Sequence, residues 1–330
     1  MTQGGDLPGL RFRILQHFDA FAAAGLRVQQ FDARFGAYPP ESRIHRGRWL
    51  ISTLTDAVLR ARKANQAQVC LLQRELVSTL ISAEPLIRTP IVFDVDDALF
   101  AGSRGWMTDR IARMASLTIC GNAYLADHYR RFCRVEILPT AVDTDRFVPG
   151  NSTRSEPIIG WSGSSSGLPY LYAIEDALLT VLRKYPDAIL EVIADRAPRF
   201  RSLPAERVRF RQWSKDIEVA ALQRFTVGLM PLPDNAWTRG KCSFKMLTYM
   251  AAAIPVVVSP VGMNSEILSL GPIGYAATTH DEWVDAISTL FQDRDSGARM
   301  GEFGRRIVES HFSKKLIGPR FAELIRSVSA

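Results

Sequence analysis

Apolar runs of strand length alternate with segments of helical spacing along most of the chain. In the first half, the apolar runs occupy residues 26–31, 68–73, 90–94, 117–120 and 135–138. Amphipathic helices are predicted between them, for example at residues 48–64 and 107–115. Strands that alternate with helices are typical of βαβ units. The pattern therefore predicts an α/β fold with a doubly wound parallel sheet.

A second alternation occupies the C-terminal half. Its predicted strands lie at 158–161, 189–193, 208–210, 227–230 and 255–259, its helices at 170–184 and 217–224, and a final helix at 316–328. Between the two halves, residues 143–157 are rich in turn formers and poor in periodic apolar positions. We expect an N-terminal domain at 1–145, a linker at 146–157 and a C-terminal domain at 158–330. The last helix could cross back to the first domain.

Charge and cysteine content narrow the class of protein. The 41 Lys and Arg residues exceed the 34 Asp and Glu residues, which gives a net charge of +7. This mild excess does not indicate a nucleic-acid-binding protein. It suits a polyanionic ligand or an anionic membrane, although arginines on solvated helix faces are the simpler explanation. The four cysteines lack paired spacing, and neither a signal peptide nor a membrane span is evident, so we expect a cytoplasmic protein.

The segment at residues 239–260 joins a basic loop to a helix and a strand. Ser243 is predicted to cap the helix, which places Lys241 and Lys245 near its N-terminus. Free N–H groups, the positive end of the helix dipole and two ammonium groups would suit a diphosphate. The alternative is a solvated basic turn before a core helix.

A glycine-rich turn, GWSGSSSG, occupies residues 160–167 between a predicted strand and a helix. Small residues would let backbone N–H groups approach an anion closely, although a plain strand–helix turn is equally compatible. The turn is neither a dinucleotide fingerprint nor a Walker A loop. The carboxyl ends of parallel strands share one edge of a sheet, so this turn and the lysines are predicted to converge.

The chain resembles the family 4 glycosyltransferases. The resemblance lies in GWSGSSSG at 160–167, VRFRQW at 208–213, GLMPLPD at 228–234, GKCSFK at 240–245, YMA at 249–251, PVVVSPVG at 255–262 and Glu266, with GNAYLA at 121–126 and LPTAVD at 138–143 in the first half. It implies a GT-B architecture, in which two Rossmann-like domains face a cleft. It also implies a retaining enzyme with a nucleotide-sugar donor and no bound metal or cofactor.

The resemblance implies roles for particular residues of the second domain. Gly163 and Ser164 would lie against the diphosphate, and Arg211 to Trp213 near the base. Lys241 and Lys245 would neutralise the leaving phosphates. Glu266 is either part of this site or a helix-terminal carboxylate.

Two departures from the family pattern are visible. Gly240 and Thr248 occupy the positions where the family places paired glutamates, so carboxylates for the sugar hydroxyls and the ribose are missing. Asp234 could reach the sugar, and Thr248 could offer one weaker hydrogen bond. The usual basic residues of the first glycine-rich turn are replaced by serines at 164–166. We infer that Arg239 takes over part of their charge, together with the two lysines.

The first domain contributes carboxylates after a predicted strand, in FDVDDA at residues 93–98. Asp94 or Asp97 would orient an acceptor hydroxyl or stabilise the cationic sugar. Two alternatives remain at this point, namely a helix cap by Asp96 or Asp97 and the metal-binding Asp-x-Asp of a GT-A transferase. His17 is a candidate proton carrier, but a surface position is the more frequent outcome for such a histidine.

The sequence leaves three functions open. The first is transfer of a sugar from a nucleotide-diphosphate donor to a hydroxyl acceptor, either a glycan or a lipid-linked molecule, in cell-envelope polysaccharide synthesis. The second is a non-catalytic nucleotide- or glycan-binding descendant of the fold, and the third is a sugar-nucleotide epimerase. The resemblance also implies a strand before Leu10, where only a short segment is present. We expect either that the chain has lost this strand or that the start of the chain has been assigned too far downstream.

Overall fold

The computed structural model describes residues 1–2, 8–35, 39–40, 42–77, 80, 82–150 and 156–329. The chain divides into two compact units. Unit 1 comprises Met1–Ala141, Arg239–Cys242 and Lys314–Ala330, and unit 2 comprises Val142–Thr238 and Ser243–Ser313. The last helix therefore belongs to unit 1. Part of the predicted linker, residues 151–155, lies outside the described residues.

Unit 1 contains a parallel sheet. Its strands, as far as the structure describes this unit, are β1 (Cys70–Gln73), β2 (Ile91–Val95), β3 (Leu117–Cys120) and β4 (Val135–Ile137), in the spatial order β1-β2-β3-β4. In the register, Leu72 is opposite Phe93, and Asp94 is opposite Ile119. The residues of β2 and β3 are all buried, as expected for a parallel sheet covered on both faces.

The strand predicted at residues 26–31 is wrong. This segment is irregular, and the single bridge near its end joins Thr2 to Asp32. Three of its six positions are polar, and Val28 is 46% exposed. Because the run has no continuous apolar side to bury, packing does not hold it in the sheet.

Unit 2 contains the second parallel sheet. Within the described residues, its strands are β5 (Ile158–Ser162), β6 (Ile189–Ala194), β7 (Val208–Gln212), β8 (Val227–Met230), β9 (Val256–Val258) and β10 (Gly274–Ala276). The spatial order is β10-β9-β8-β5-β6-β7. The order reverses direction at β5, so the carboxyl end of β5 is the topological switch point, where open α/β sheets bind ligands. The predicted α/β class with two parallel sheets is confirmed.

Helices cover the sheets of both units. In chain order they are α1 (Pro8–Arg13), α2 (Phe18–Ala23), α3 (Arg43–Ala64), α4 (Trp106–Met114), α5 (Ala123–Tyr129), α6 (Leu168–Tyr172), α7 (Glu175–Lys184), α8 (Lys215–Leu222), α9 (Ala236–Arg239), α10 (Phe244–Ala251), α11 (Met263–Leu268), α12 (His280–Gln292), α13 (Arg294–Ile307) and α14 (Lys314–Ser329). The helix predicted at 170–184 is two helices, and the carboxylate of Glu175, the first residue of α7, accepts hydrogen bonds from the N–H groups of Arg201 and Ser202. None of the described helices is long and apolar enough to span a bilayer.

His17 is an interior residue of unit 1, which corrects the surface position expected from its neighbours. Its side chain is 2% exposed, and its ring lies 5.7 Å from that of Phe321 in α14, centroid to centroid. Burial, followed by the charges of Arg13 and Lys314, lowers the pKa of His17 to about 3. The imidazole is therefore neutral in the folded protein at ordinary pH.

We expect the buried His17 to make folding sensitive to mild acid. Below pH 6.5 the unfolded chain binds a proton that the folded chain does not, so stability falls as the pH drops from 6.5 toward 3. The contribution of this one group is about 1.4 kcal/mol per pH unit. Urea unfolding between pH 7.5 and 5 should show a shallower slope for His17→Leu than for wild type. His280→Gln, at an exposed histidine, is the control, and equal slopes for wild type and His17→Leu would contradict the prediction.

Candidate functional site

The glycine-rich turn of unit 2 begins where β5 ends. The Gly163 N–H donates to the carbonyl of Ile193, 2.9 Å away, which ties the turn to the neighbouring strand β6. A Cβ atom at Gly163 would overlap Cε of Lys245 and would lie 2.9 Å from the Trp161 ring. Only glycine therefore lets the turn and this lysine approach so closely.

Lys245 lies against that turn. It is the second residue of α10 and is half-buried. Its Nζ atom lies 5.5 Å from the centroid of the Trp161 ring, and 3.8 Å from where a Cβ of Gly167 would be. The structure thus brings Gly163 and Lys245 together, as predicted from the sequence. A positive charge beside a small-residue turn at a switch point is a suitable seat for an anionic ligand.

Asp195 organises the same turn, and the sequence analysis missed it. It follows β6 directly, and its carboxylate accepts hydrogen bonds from the backbone N–H of Ser165 and from the Ser165 hydroxyl at 2.8 Å. Burial opposes the charge on Asp195, but the bonds from Ser165 outweigh it and lower the pKa of the carboxyl. An aspartate directly after a predicted strand was the signal that could have revealed it.

Removing the Asp195 carboxylate should loosen the turn. Asp195→Ala deletes both hydrogen bonds to Ser165, and we expect the Kd for a nucleoside diphosphate to rise by about three- to tenfold, because each such bond stabilises modestly at an exposed site. Isothermal titration calorimetry measures this change. Asp187→Ala, at an exposed carboxylate before β6, is the matched control. An unchanged Kd for Asp195→Ala would show that the turn does not need this anchor.

Two predicted side chains of the loop and helix at 239–251 make internal contacts. Ser243 has a left-handed backbone (φ 50°), and its hydroxyl donates to Oδ1 of the buried Asn264 at 2.7 Å. It makes no capping bond, so the predicted cap is wrong. Thr248 is 5% exposed, and its hydroxyl donates to the carbonyl of Lys245 at 2.8 Å. Its role toward a sugar stays a prediction.

Other predicted nucleotide contacts are paired within unit 2. Arg211 Nε donates to the buried carboxylate of Glu191 at 2.7 Å, and Trp213 Nε1 donates to Glu218 at 3.0 Å. These contacts fix both side chains near the carboxyl end of β7.

The remaining predicted residues of unit 2 are on its surface. Ser164, Asp234 and Glu266 are exposed, with Glu266 in the first turn of α11. The Ser164 hydroxyl lies 2.8 Å from that of Ser166. Their ligand roles, like those of Arg211 and Trp213, stay predictions.

Asp94 is an interior residue of unit 1. It is fully buried in β2, and both of its oxygens accept hydrogen bonds from the guanidinium of Arg13, one of them at 3.2 Å. Arg13 also donates to the carbonyl of Leu138 at 2.7 Å. Burial opposes the charge on Arg13, but Asp94 more than offsets it, so the pKa of Arg13 is raised. This geometry favours a structural role for Asp94, and we give it no part in the chemistry proposed below.

A second ionic cluster lies at the carboxyl end of β1 and β2. Arg74, whose backbone is left-handed (φ 58°), donates to Asp96 at 3.0 Å and also to Asp97. Lys241 Nζ lies 3.7 Å from Asp97 Oδ1. Arg239–Cys242 thus belongs to unit 1 by its contacts, which include a bond from the Asn122 amide to the Lys241 carbonyl at 3.1 Å. The sequence analysis missed Arg74, although it follows a predicted strand.

The two carboxylates of this cluster differ in acidity. Burial raises the pKa of each, but Arg74 outweighs burial at Asp96, whose pKa is lowered. The pKa of Asp97 stays raised by burial, against the opposing effect of Arg74 and with the support of the Asp96 charge. Asp97 is therefore the more readily protonated of the pair. Among the described side chains, no group of three or more His, Cys, Asp or Glu is placed to hold a metal ion.

Gly240 explains one departure from the family pattern. A Cβ atom there would overlap Ala98 Cβ and lie 2.7 Å from the Ala98 nitrogen. A glutamate does not fit at this position in unit 1 without a shift of the backbone. The predicted charge of the neighbouring Arg239 is exposed.

Comparison with known families gives a match for much of unit 2. Residues 157–293 match the family model described as glycosyl transferases group 1. This match confirms the likeness to group 1 glycosyl transferases over these residues. It spans β5 to α12, and therefore the glycine-rich turn and Lys245.

Similar proteins extend the comparison with group 1 glycosyl transferases. A D-inositol 3-phosphate glycosyltransferase of Nocardia farcinica is 24% identical over 193 residues, which cover 51% of this chain and only 42% of that protein. Sucrose-phosphate synthase of Thermosynechococcus elongatus aligns with a TM-score of 0.74 at 17% identity, over 98% of this chain and 93% of that one. Anabaena HepE in complex with UDP and glucose gives 0.74 at 15% identity, over 99% and 98%. The predicted GT-B architecture is confirmed, and these structural likenesses show the fold alone.

Proposed function

We propose that the chain transfers a sugar from a nucleotide-diphosphate donor to a hydroxyl group of an acceptor. The observation that carries this proposal is the contact of Lys245 with the Gly163 turn at the switch point of unit 2. The family match over residues 157–293 supports it. HepE, which has the same fold, has been crystallised with UDP and with UDP-glucose, so UDP is the first nucleotide to test.

The chemistry follows from the charge that develops as the donor breaks. Cleavage of the anomeric bond leaves negative charge on the nucleoside diphosphate and positive charge on the sugar. A fixed ammonium at Lys245 stabilises the negative charge on the nucleoside diphosphate, and N–H groups of the turn add to this stabilisation. No cofactor takes part in this proposal. We propose retention of configuration, in which a donor phosphate oxygen assists the incoming hydroxyl.

Asp97 is the group of unit 1 that we assign to the acceptor. Its raised pKa and its place at the carboxyl end of β2 suit a carboxylate that accepts a hydrogen bond from a hydroxyl. Arg74 and Lys241 hold this carboxylate in position. The acceptor we propose is a glycan or a lipid-linked molecule of the cell envelope, used at the cytoplasmic face of the membrane.

One observation favours a second candidate, a nucleotide-binding protein without transferase activity. The Thr248 hydroxyl donates a hydrogen bond to the Lys245 carbonyl, and Gly240 has no room for a side chain. Neither position therefore holds the sugar as a carboxylate would. Incubation with a panel of UDP- and GDP-sugars, with and without glycan acceptors, separates the candidates. Transfer supports the enzyme, binding alone supports the second candidate, and conversion of the donor without acceptor indicates an epimerase. NMR of the product would show the anomeric configuration.

A further inference from the structure

The longest helix of unit 1, α3, has an apolar face that the described residues of its own unit do not cover. Its inner side is buried through Ala57, Ala61 and Ala64. On the opposite side, Ile44 is 90% exposed and Ile51 is 70% exposed. These two isoleucines are seven residues apart, which places them almost in line, two turns apart on a helix.

Further apolar side chains extend this exposed surface. Val58, seven residues after Ile51, continues this line and is half-buried, and Leu59 beside it is 46% exposed. Single exposed apolar residues are ordinary, but several on one helix indicate a surface that something covers. We call the set Ile44, Ile51, Val58 and Leu59 the α3 apolar face.

The exposed charges that the structure describes on α3 itself have a single sign. The helix has one acidic residue, Asp56, which is buried and paired with Arg60 at 2.8 Å. The exposed ionisable residues of the helix are all basic, namely His45, Arg46, Arg48, Arg62 and Lys63. The surface is therefore apolar and cationic together.

We propose that the α3 apolar face is the surface by which the protein lies on an anionic lipid bilayer. Isoleucine and leucine side chains enter the boundary between headgroups and acyl chains, and the arginines contact lipid phosphates. This inference rests on the proposed use of a lipid-linked acceptor and names the surface that meets it. A second copy of the chain fits less well, because a symmetric contact would bring Arg48 and Arg62 against the same residues of the other copy.

Cosedimentation of the full chain with vesicles tests the proposal. We expect binding to phosphatidylcholine vesicles that contain 30% phosphatidylglycerol, about tenfold weaker binding to pure phosphatidylcholine, and loss of binding at high salt. The double change Ile44→Ser/Ile51→Ser should weaken binding to the anionic vesicles at least about tenfold. Leu86→Ser, at a 47% exposed leucine elsewhere in unit 1, is the matched control. Arg48→Gln/Arg62→Gln should lower the salt dependence.

UDP binding by unit 2 and transfer to a soluble acceptor are measured on the same variants, and both should be unchanged. These readouts keep a failure of the lipid proposal distinct from a failure of the proposed function. Equal binding to neutral and anionic vesicles would overturn the proposal that the α3 apolar face binds anionic lipid. So would unaltered binding by Ile44→Ser/Ile51→Ser, or light scattering that shows a dimer which this double change dissociates.

Discussion

Replacement of Lys245 by methionine is expected to lower kcat/KM for the donor by about 100- to 1000-fold. The lysine ammonium lies against the Gly163 turn, where the proposed diphosphate gains charge as the sugar leaves. Methionine keeps most of the side chain's length and packing against Trp161 but has no charge. The loss should therefore fall on nucleotide binding and on turnover together, and calorimetry with UDP and steady-state kinetics measure the two.

A matched lysine in the same unit controls for nonspecific charge effects. Lys215 is exposed at the start of α8, and Lys215→Met should leave both quantities unchanged. Unchanged kinetics for Lys245→Met would contradict the account. Equal losses in both variants would show that general charge, rather than the position of Lys245, is responsible.

Replacement of Asp94 by alanine is expected to destabilise unit 1 by about 3–5 kcal/mol. The change leaves the Arg13 guanidinium, which is 2% exposed, without the carboxylate that it faces. An uncompensated buried charge is costly because water cannot replace the lost partner. Amide hydrogen exchange of the β2 residues should accelerate by about 150- to 4000-fold, while exchange of β6 in unit 2 stays unchanged.

Two further variants make this result specific. Arg13→Met/Asp94→Leu removes both charges and should recover part of the lost protection, because an apolar pair can replace a buried ion pair. Asp127→Asn removes a 68% exposed carboxylate and should have little effect. If the β2 amides of Asp94→Ala were as protected from hydrogen exchange as those of wild type, a structural role for the Arg13–Asp94 pair would be refuted.

The periodicity of apolar residues was sufficient to predict most strands of the two sheets. The strand predicted at 117–120 has the same bounds in the structure, and the one at 90–94 is shifted by one residue. Both are continuous buried runs, which carry a strong signal. The run at 26–31 has the same length but mixes polar and apolar positions, and only burial in three dimensions decides such a case.

Side-chain environments were harder to predict, because distant parts of the chain set them. Ser243 lies at a helix start, as a capping residue would, yet its hydroxyl donates a hydrogen bond to the Asn264 side chain of the next helix. His17 stands between Gln16 and Phe18 in the sequence, which does not indicate burial, but its ring packs against that of Phe321 in the last helix. Lys241 is close to Lys245 in sequence, but its short segment belongs to the other unit. No local pattern contains these contacts.

The local chemistry of the glycine-rich turn was more accessible. A strand, a run of small residues and a lysine at a later helix start were enough to predict that Gly163 and Lys245 lie together, because parallel strands bring their carboxyl ends to one edge. The Asp195 anchor follows from the same rule, since that residue comes directly after the neighbouring strand.

A crystal structure of the protein with UDP tests the central claim most directly. The account predicts diphosphate oxygens about 3 Å from Lys245 Nζ and from backbone N–H groups of the turn at 163–165. A diphosphate bound elsewhere, with Lys245 still packed on Trp161 and without a phosphate contact, would contradict it.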